Sequence, residues 1–234
     1  MRRFALAAAL LAAAAAPRAR AGEGVYLTID AGYGLFSKDD FRNKIAPQVG
    51  AANATLLATQ MSDGAAFGLH LGYNIAGHVA FEGSFTVRPY DLFQDTRGGA
   101  GIVGAAVRWY PLQGLVRSNR QFDISLIAGM GYALSGGNGI HGPVPANAST
   151  AKIENTGRGF DGSSVELGFT AELYPVKSMS IGITPRMYVI DPLRYFVSYD
   201  NRDAGGAIPL SGSGAVKLYS ISLSVTFHFE PLPD

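Results

Sequence analysis

The chain has 234 residues, 47% hydrophobic and only 16% charged, with 30 glycines and no cysteine. The lack of cysteine excludes a disulfide framework and any thiolate ligand or nucleophile. A formal net charge of +1, from 19 Lys and Arg against 18 Asp and Glu, leaves no basic patch for nucleic acid, and a glycine share about twice the usual favours strands and turns over a helical bundle.

The first element is an export signal. Arg2 and Arg3 precede an unbroken apolar run from Phe4 to Ala16, and Pro17-Arg18-Ala19-Arg20-Ala21 ends in the small-x-small pattern that a signal peptidase reads. The run falls short of the ~20 residues that a spanning helix needs. Residues 1–21 therefore read as a cleaved signal and residues 22–234 as one mature domain. Arg2, Arg3, Arg18 and Arg20 leave with the signal, so the formal charge of +1 falls to about −3. No later stretch is long and apolar enough to span as a helix, so a membrane could be entered only as strands.

Eight segments of strand character follow, beginning with Val25–Phe36. The connection Ser37–Gly64 is long and polar, yet Phe41, Ile45 and Val49 recur at four-residue spacing, which predicts a short helical piece broken near Pro47. These three residues are candidates to cap a mouth or meet a partner; a loop packing its own apolar residues is the alternative. Ala65–Ile75 and His78–Tyr90 flank the tight Ala76–Gly77 link, and Asp91–Gly98 leads to Gly99–Pro111. Within that segment Gly99, Gly101 and Gly104 fit a G-x-G-x-x-G pattern, but a strand continues through Ala105–Tyr110 where a phosphate-binding helix would be needed. No cofactor is expected. Leu112–Arg120 then joins Gln121–Leu134, the long Ser135–Ser163 joins Ser164–Tyr174, Pro175–Lys177 joins Ser178–Ile190, and Asp191–Gly214 joins Ala215–Phe229.

The last segment is the clearest. Tyr219, Ile221, Leu223, Val225, Phe227 and Phe229 alternate with Ser220, Ser222, Ser224, Thr226 and His228, giving one oily and one wet face. Each segment runs about 11 to 15 residues, beyond the ~5–6 of soluble strands and enough for the ~9–11 of a tilted membrane strand. Long and short connections alternate as external loops and periplasmic turns do in transmembrane barrels. The predicted fold is all-β, an eight-stranded antiparallel up-and-down transmembrane barrel with both termini on the short-turn side. Aromatic residues form two outward girdles: Tyr33, Phe67, Phe85, Tyr132 and Tyr219 near the loops, and Tyr73, Phe81, Trp109, Phe122, Phe227 and Phe229 near the turns.

The Gly-aromatic pairs Gly32-Tyr33, Gly72-Tyr73, Gly131-Tyr132 and Gly168-Phe169, the strand ends Arg108-Trp109-Tyr110-Pro111 and Glu172-Leu173-Tyr174-Pro175, and the aromatic-terminated last strand resemble the OmpA-like and OmpW-like outer-membrane β-barrel families. The resemblance covers nearly all of the mature chain. It implies a Gram-negative outer membrane, contact with its lipid, and an insertion signal for the barrel-assembly machinery on Tyr219 through Phe229. The chain ends at Glu230-Pro231-Leu232-Pro233-Asp234, without the peptidoglycan-binding domain of many OmpA relatives, so a cell-wall tether would come from another envelope protein.

By alternation the inward face carries Asp30, His70, Glu82, Arg88, Arg108, Asp123, Glu166, Glu172 and Arg186. Buried charges need partners, and both signs are present. The lumen reads as a salt-bridged plug, with a small water or solute path as the alternative. Antiparallel partners keep a constant sum of residue numbers, so tight turns at Pro175–Lys177 and Ile75–Gly77 would set Glu166 opposite Arg186 and His70 opposite Glu82. No metal-ligand spacing is convincing, even around Asp200 and Asp203, and none of the four histidines sits in a recognisable catalytic constellation. The expected function is a non-enzymatic envelope component, structural or partner-binding, such as the outer-membrane anchor of an envelope-spanning assembly. A small pore or conduit for apolar molecules and, last, a lipid-modifying barrel enzyme remain as alternatives.

Overall fold

The computed structural model describes residues 24–59, 63–75, 78–89, 97–114, 122–138, 154–176, 178–191, 194–200, 210–211 and 215–229; the expected signal segment lies outside them. The elements in chain order are β1 (Gly24–Phe36), α1 (Lys38–Val49), α2 (Ala51–Thr59), β2 (Gly64–Ile75), β3 (Val79–Pro89), β4 (Arg97–Trp109), β5 (Phe122–Asn138), β6 (Glu154–Val176), β7 (Met179–Ile190), β8 (Arg194–Asp200), β9 (Leu210–Ser211) and β10 (Val216–His228). Strands β1 to β7 pair with their chain neighbours, and β10 pairs with both β7 and β1, all antiparallel. The result is a closed eight-stranded barrel. Closure leaves no unpaired edge within the ring, the condition for β-structure in hydrocarbon.

The strict two-residue period sorts every strand. In β1 Tyr26, Thr28 and Asp30 are buried, while Val25, Ile29, Tyr33 and Leu35 are exposed. In β10 Ser220, Ser222, Ser224 and Thr226 point in and Tyr219, Ile221, Leu223 and Phe227 point out, with Phe229 exposed just beyond the strand and Val225 intermediate. The outer wall is a continuous belt of exposed Leu, Ile, Val and aromatic side chains, far beyond the patches a soluble monomer exposes. No helix among the described residues is long and apolar enough to cross a membrane.

Three local expectations need correction. First, β5 runs to Asn138 and β6 begins at Glu154, and β8 and β9 pair beyond them, so much of what reads as loop in 135–163 and 191–214 extends the sheet past the barrel. These stretches are polar and rich in Gly, such as Gly136-Gly137 and Gly157, Gly159 and Gly162; above the belt no lipid demands an apolar face, so pairing leaves no alternation to read. Second, the helical piece continues through Pro47 and breaks at Gly50, whose φ is 84°. Pro47 costs one backbone donor in the last turn, whereas the positive φ of Gly50 is what ends the helix. Third, both hairpin registers are displaced by two in residue sum. Ile75 pairs with Val79, which sets Gly72 opposite Glu82 and His70 opposite Ser84. Gly168 pairs with Arg186 and Glu166 with Tyr188, because the second turn closes later, at Val176 and Met179, with an irregularity beside it. A shift of two preserves the faces, so the charges stay inward.

Candidate functional site: the lumen

The interior is filled in three tiers. At the loop side, α1 and α2 turn into the mouth, and Phe41, Ile45, Ala54 and Ala58 pack with Phe36, Ile102, Tyr188, Ile190 and Leu218 of the wall. Asp39 and Asp40 occupy the first turn of α1, where acidic groups suit the helix dipole. Phe41 meets Phe36 edge-on at 5.5 Å between ring centroids. Of the three loop candidates, Phe41 and Ile45 thus face the lumen; Val49 falls where side chains are not described. Lys44, a residue that sequence reasoning missed, is buried beside them and reaches Asp191 Oδ1 at 3.1 Å. At the rim Lys38 lies 3.8 Å from Asp63 and Lys217 lies 3.7 Å from Asp40.

The middle tier joins seven of the nine inward charges expected from sequence. Glu82 is its hub. One oxygen accepts from Arg108 Nη2 at 2.8 Å and from the Tyr26 hydroxyl at 3.0 Å; the other lies 3.1 Å from His70 Nδ1 and 3.6 Å from Arg186 Nη2. His70 Nε2 meets Asp30 Oδ2 at 2.8 Å, so both ring nitrogens face carboxylates. Arg108 also donates to Glu172 Oε1 at 3.0 Å, and Arg186 Nη1 hydrogen-bonds Glu166. The Glu166–Arg186 and His70–Glu82 contacts therefore form along diagonals of the sheet rather than between directly opposed partners. Long side chains bridge such diagonals. Asp123, also buried, stands opposite Glu172 in the register and accepts the Ile124 N–H at 2.8 Å. Arg88 lies in β3 opposite Ala100, with its side chain outside the described set.

Two glycines make room for this tier. A Cβ on Gly68 would stand 2.4 Å from Asp30 Oδ1 and 2.6 Å from His70 Nε2, and one on Gly72 would stand 2.1 Å from the Tyr26 ring. The sequence pair Gly72-Tyr73 thus has a physical basis, since the tyrosine faces out and the glycine yields interior space to Tyr26, whereas Gly32 permits close approach of the β10 backbone, with Ile221 O only 2.0 Å from where its Cβ would stand.

The turn-side tier is aromatic. Tyr26, Tyr110 and Tyr174 are buried, with the His228 ring 6.1 Å from Tyr26 and 5.7 Å from Tyr174. Tyr174 donates to Glu172 Oε2 at 2.8 Å, and the Arg108 guanidinium lies 5.7 Å from the Tyr26 ring centroid. These tyrosines carry no formal charge and so do not stand out among the inward ionisable groups; the parity of Tyr26 in β1 and Tyr174 in β6 is the signal that finds them, as that of Tyr188 in β7 does for the loop-side tier. Among the described residues no cluster of His, Asp and Glu has the arrangement of a metal site.

Residues 4–229 match the family model for the outer membrane protein beta-barrel domain. In shape the chain is similar to Neisserial surface protein A, with a TM-score of 0.53 and 11% identity over 88% of this chain and 97% of that one. It is also similar to a major outer membrane protein from Thermus thermophilus, at a TM-score of 0.50 and 12% identity over 88% and 99%. Outer membrane protein AlkL in lipid bilayers gives a TM-score of 0.50 and 11% identity over 94% and 96%. At these identities the likeness is one of fold. No curated protein matches the chain in sequence.

Proposed function

The chain belongs to the outer-membrane protein β-barrel family, and from that premise we propose that it acts as a sealed, non-enzymatic barrel serving as a structural or partner-binding component of the cell envelope. Both termini and the short turns face the periplasm, and the long loops with the extended β5–β6 hairpin face outward. The barrel-assembly machinery inserts it through the last strand, from Tyr219 to Phe229, and other envelope proteins dock on its exposed ends as on an outer-membrane anchor.

The filling of the lumen at all three tiers carries this reading. A solute path needs mobile water beside its polar groups, whereas here the arginines and carboxylates are engaged with one another and the bore is occupied above and below them. A hydrolytic barrel needs a histidine beside a nucleophile where substrate arrives; His70 is fully buried between two carboxylates at mid-height. Purified protein in planar bilayers is expected to leave conductance at the protein-free baseline. Reproducible single-channel steps would overturn the sealed reading, and altered lipid composition in membranes bearing the protein would overturn the non-enzymatic one.

A further inference from the structure

The inward face of the wall changes character above the ionic tier. In β10 it runs Thr226, Ser224, Ser222, Ser220 and then Leu218 and Val216; in β7 it runs Thr184 and Arg186 and then Tyr188 and Ile190. With Phe36 and Ile102 these last residues line an apolar cup at the loop-side mouth. Barrel interiors are ordinarily polar, so an apolar cup there needs an apolar guest to keep water off it.

The guest in this structure is α1 with α2, and the wall holds it as a groove holds a ligand. The ladder between β1 and β2 stops at Gly34 and Gly64. Beyond it the neck of the insert is closed independently of the helices: the Phe36 N–H donates to Asp63 Oδ1 at 2.9 Å and the Ser37 N–H to Lys217 O at 2.9 Å. Within the mouth α1 presents Phe41, Lys44 and Ile45, the i, i+3, i+4 anchors of helix-in-groove recognition. Lys44 meets Asp191, which belongs to the wall: its backbone N–H donates to Ser163 O at 2.9 Å, and its side chain is 58% exposed at the lip. Cup and lip thus present an apolar floor and an anion to a helix arriving from the loop side.

We propose that this cup is a binding site for an amphipathic helix of a partner protein, and that α1 occupies it as a built-in competitor. The partner helix carries an aromatic and a branched aliphatic residue four positions apart, with a basic residue just before the second. The proposal names the site of the partner-binding reading and rests on it. A segment joined through a short neck acts at roughly millimolar effective concentration, so a free helix of equal affinity is held off until the resident one is weakened.

The test uses the full chain in lipid nanodiscs and, as probe, a fluorescent synthetic peptide of residues 38–59, followed by anisotropy against empty nanodiscs. Phe41→Gln with Ile45→Gln in the protein weakens the resident helix and leaves the wall unchanged, with folding checked by heat-dependent gel mobility. The peptide should half-saturate this variant at a concentration about 100-fold lower than the unaltered protein, the factor that lost buried side chains take from a competing state. The same peptide with Lys44→Glu, which sets like charge against Asp191, should bind about tenfold more weakly. Equal half-saturation of the two proteins, no binding to the variant, or indifference to Lys44→Glu would overturn the proposal. Planar-bilayer recording of the same variant tests the sealed reading separately, so either can fail without the other.

Discussion

The middle of the lumen and its loop-side mouth are both closed, but by opposite chemistry on opposite kinds of support. The middle is held by charges projecting from β1, β2, β3, β4, β6 and β7, strands fixed by the ladder itself. The mouth is held by apolar side chains of α1 and α2, a segment inserted between β1 and β2 and tied at the rim by partly exposed ion pairs. The middle tier cannot open without leaving buried charge uncompensated, whereas the mouth can release its helices to solvent and leave the ring intact. Stability at the middle should therefore be global, and at the mouth local.

The largest effect is expected at the hub. Glu82→Gln keeps the shape but removes the charge facing Arg108, His70 and Arg186, and should lower unfolding stability by about 3–5 kcal/mol, the usual cost of breaking a buried pair, read by urea titration in detergent micelles. A loss below about 1 kcal/mol would mean that water already solvates the network. Next comes Gly68→Val, which must displace Asp30 and His70 and should cost about 1–3 kcal/mol as overpacking does. Gly83, on the outer face with its nearest neighbour at 3.9 Å, should accept the same change nearly silently. Equal costs at the two glycines would remove the assigned filling of the middle tier.

At the mouth, Phe41→Ala should leave the global unfolding midpoint nearly unchanged. Amide exchange in α1 and α2 should instead quicken about 100-fold, which corresponds to the ~3 kcal/mol of a lost buried phenylalanine acting on local opening only. A matching global loss would show the mouth and the middle to be one cooperative unit. The smallest effect belongs to Asp191→Asn, which removes the half-exposed partner of Lys44. It should shift that local opening by about 0–1 kcal/mol and lose even this at high salt.

The fold was legible because lipid outside and polar filling inside impose opposite demands on successive residues; β10 displays this without interruption. The inward charges were legible for the same reason, since parity alone selects Asp30, His70, Glu82 and Arg186. Register was not. A two-residue slide leaves every face unchanged, so the hydrophobic pattern is blind to it, and the turns at 76–78 and 177–178 decide it. The extended ends of β5 and β6 were hidden because sheet beyond the belt has no face to keep apolar. The inward direction of Phe41 and Ile45 was hidden because helical spacing says which residues share a side but not what that side meets. Lys44 was hidden because a buried lysine is read from its partner, and Asp191 lies 147 positions away.

The central claim is that the ionic middle tier, with the aromatic tier on its turn side, closes the barrel without the mouth helices. Replacing residues 38–59 with a short Gly-Ser linker between β1 and β2 removes α1 and α2 while leaving every side chain of the middle and turn-side tiers in place, and planar-bilayer recording of this variant tests those two tiers without the mouth. The expected result is a baseline indistinguishable from protein-free bilayer. Reproducible conductance steps on removal of the helices alone would contradict the account and make the mouth, rather than the ionic network, the seal.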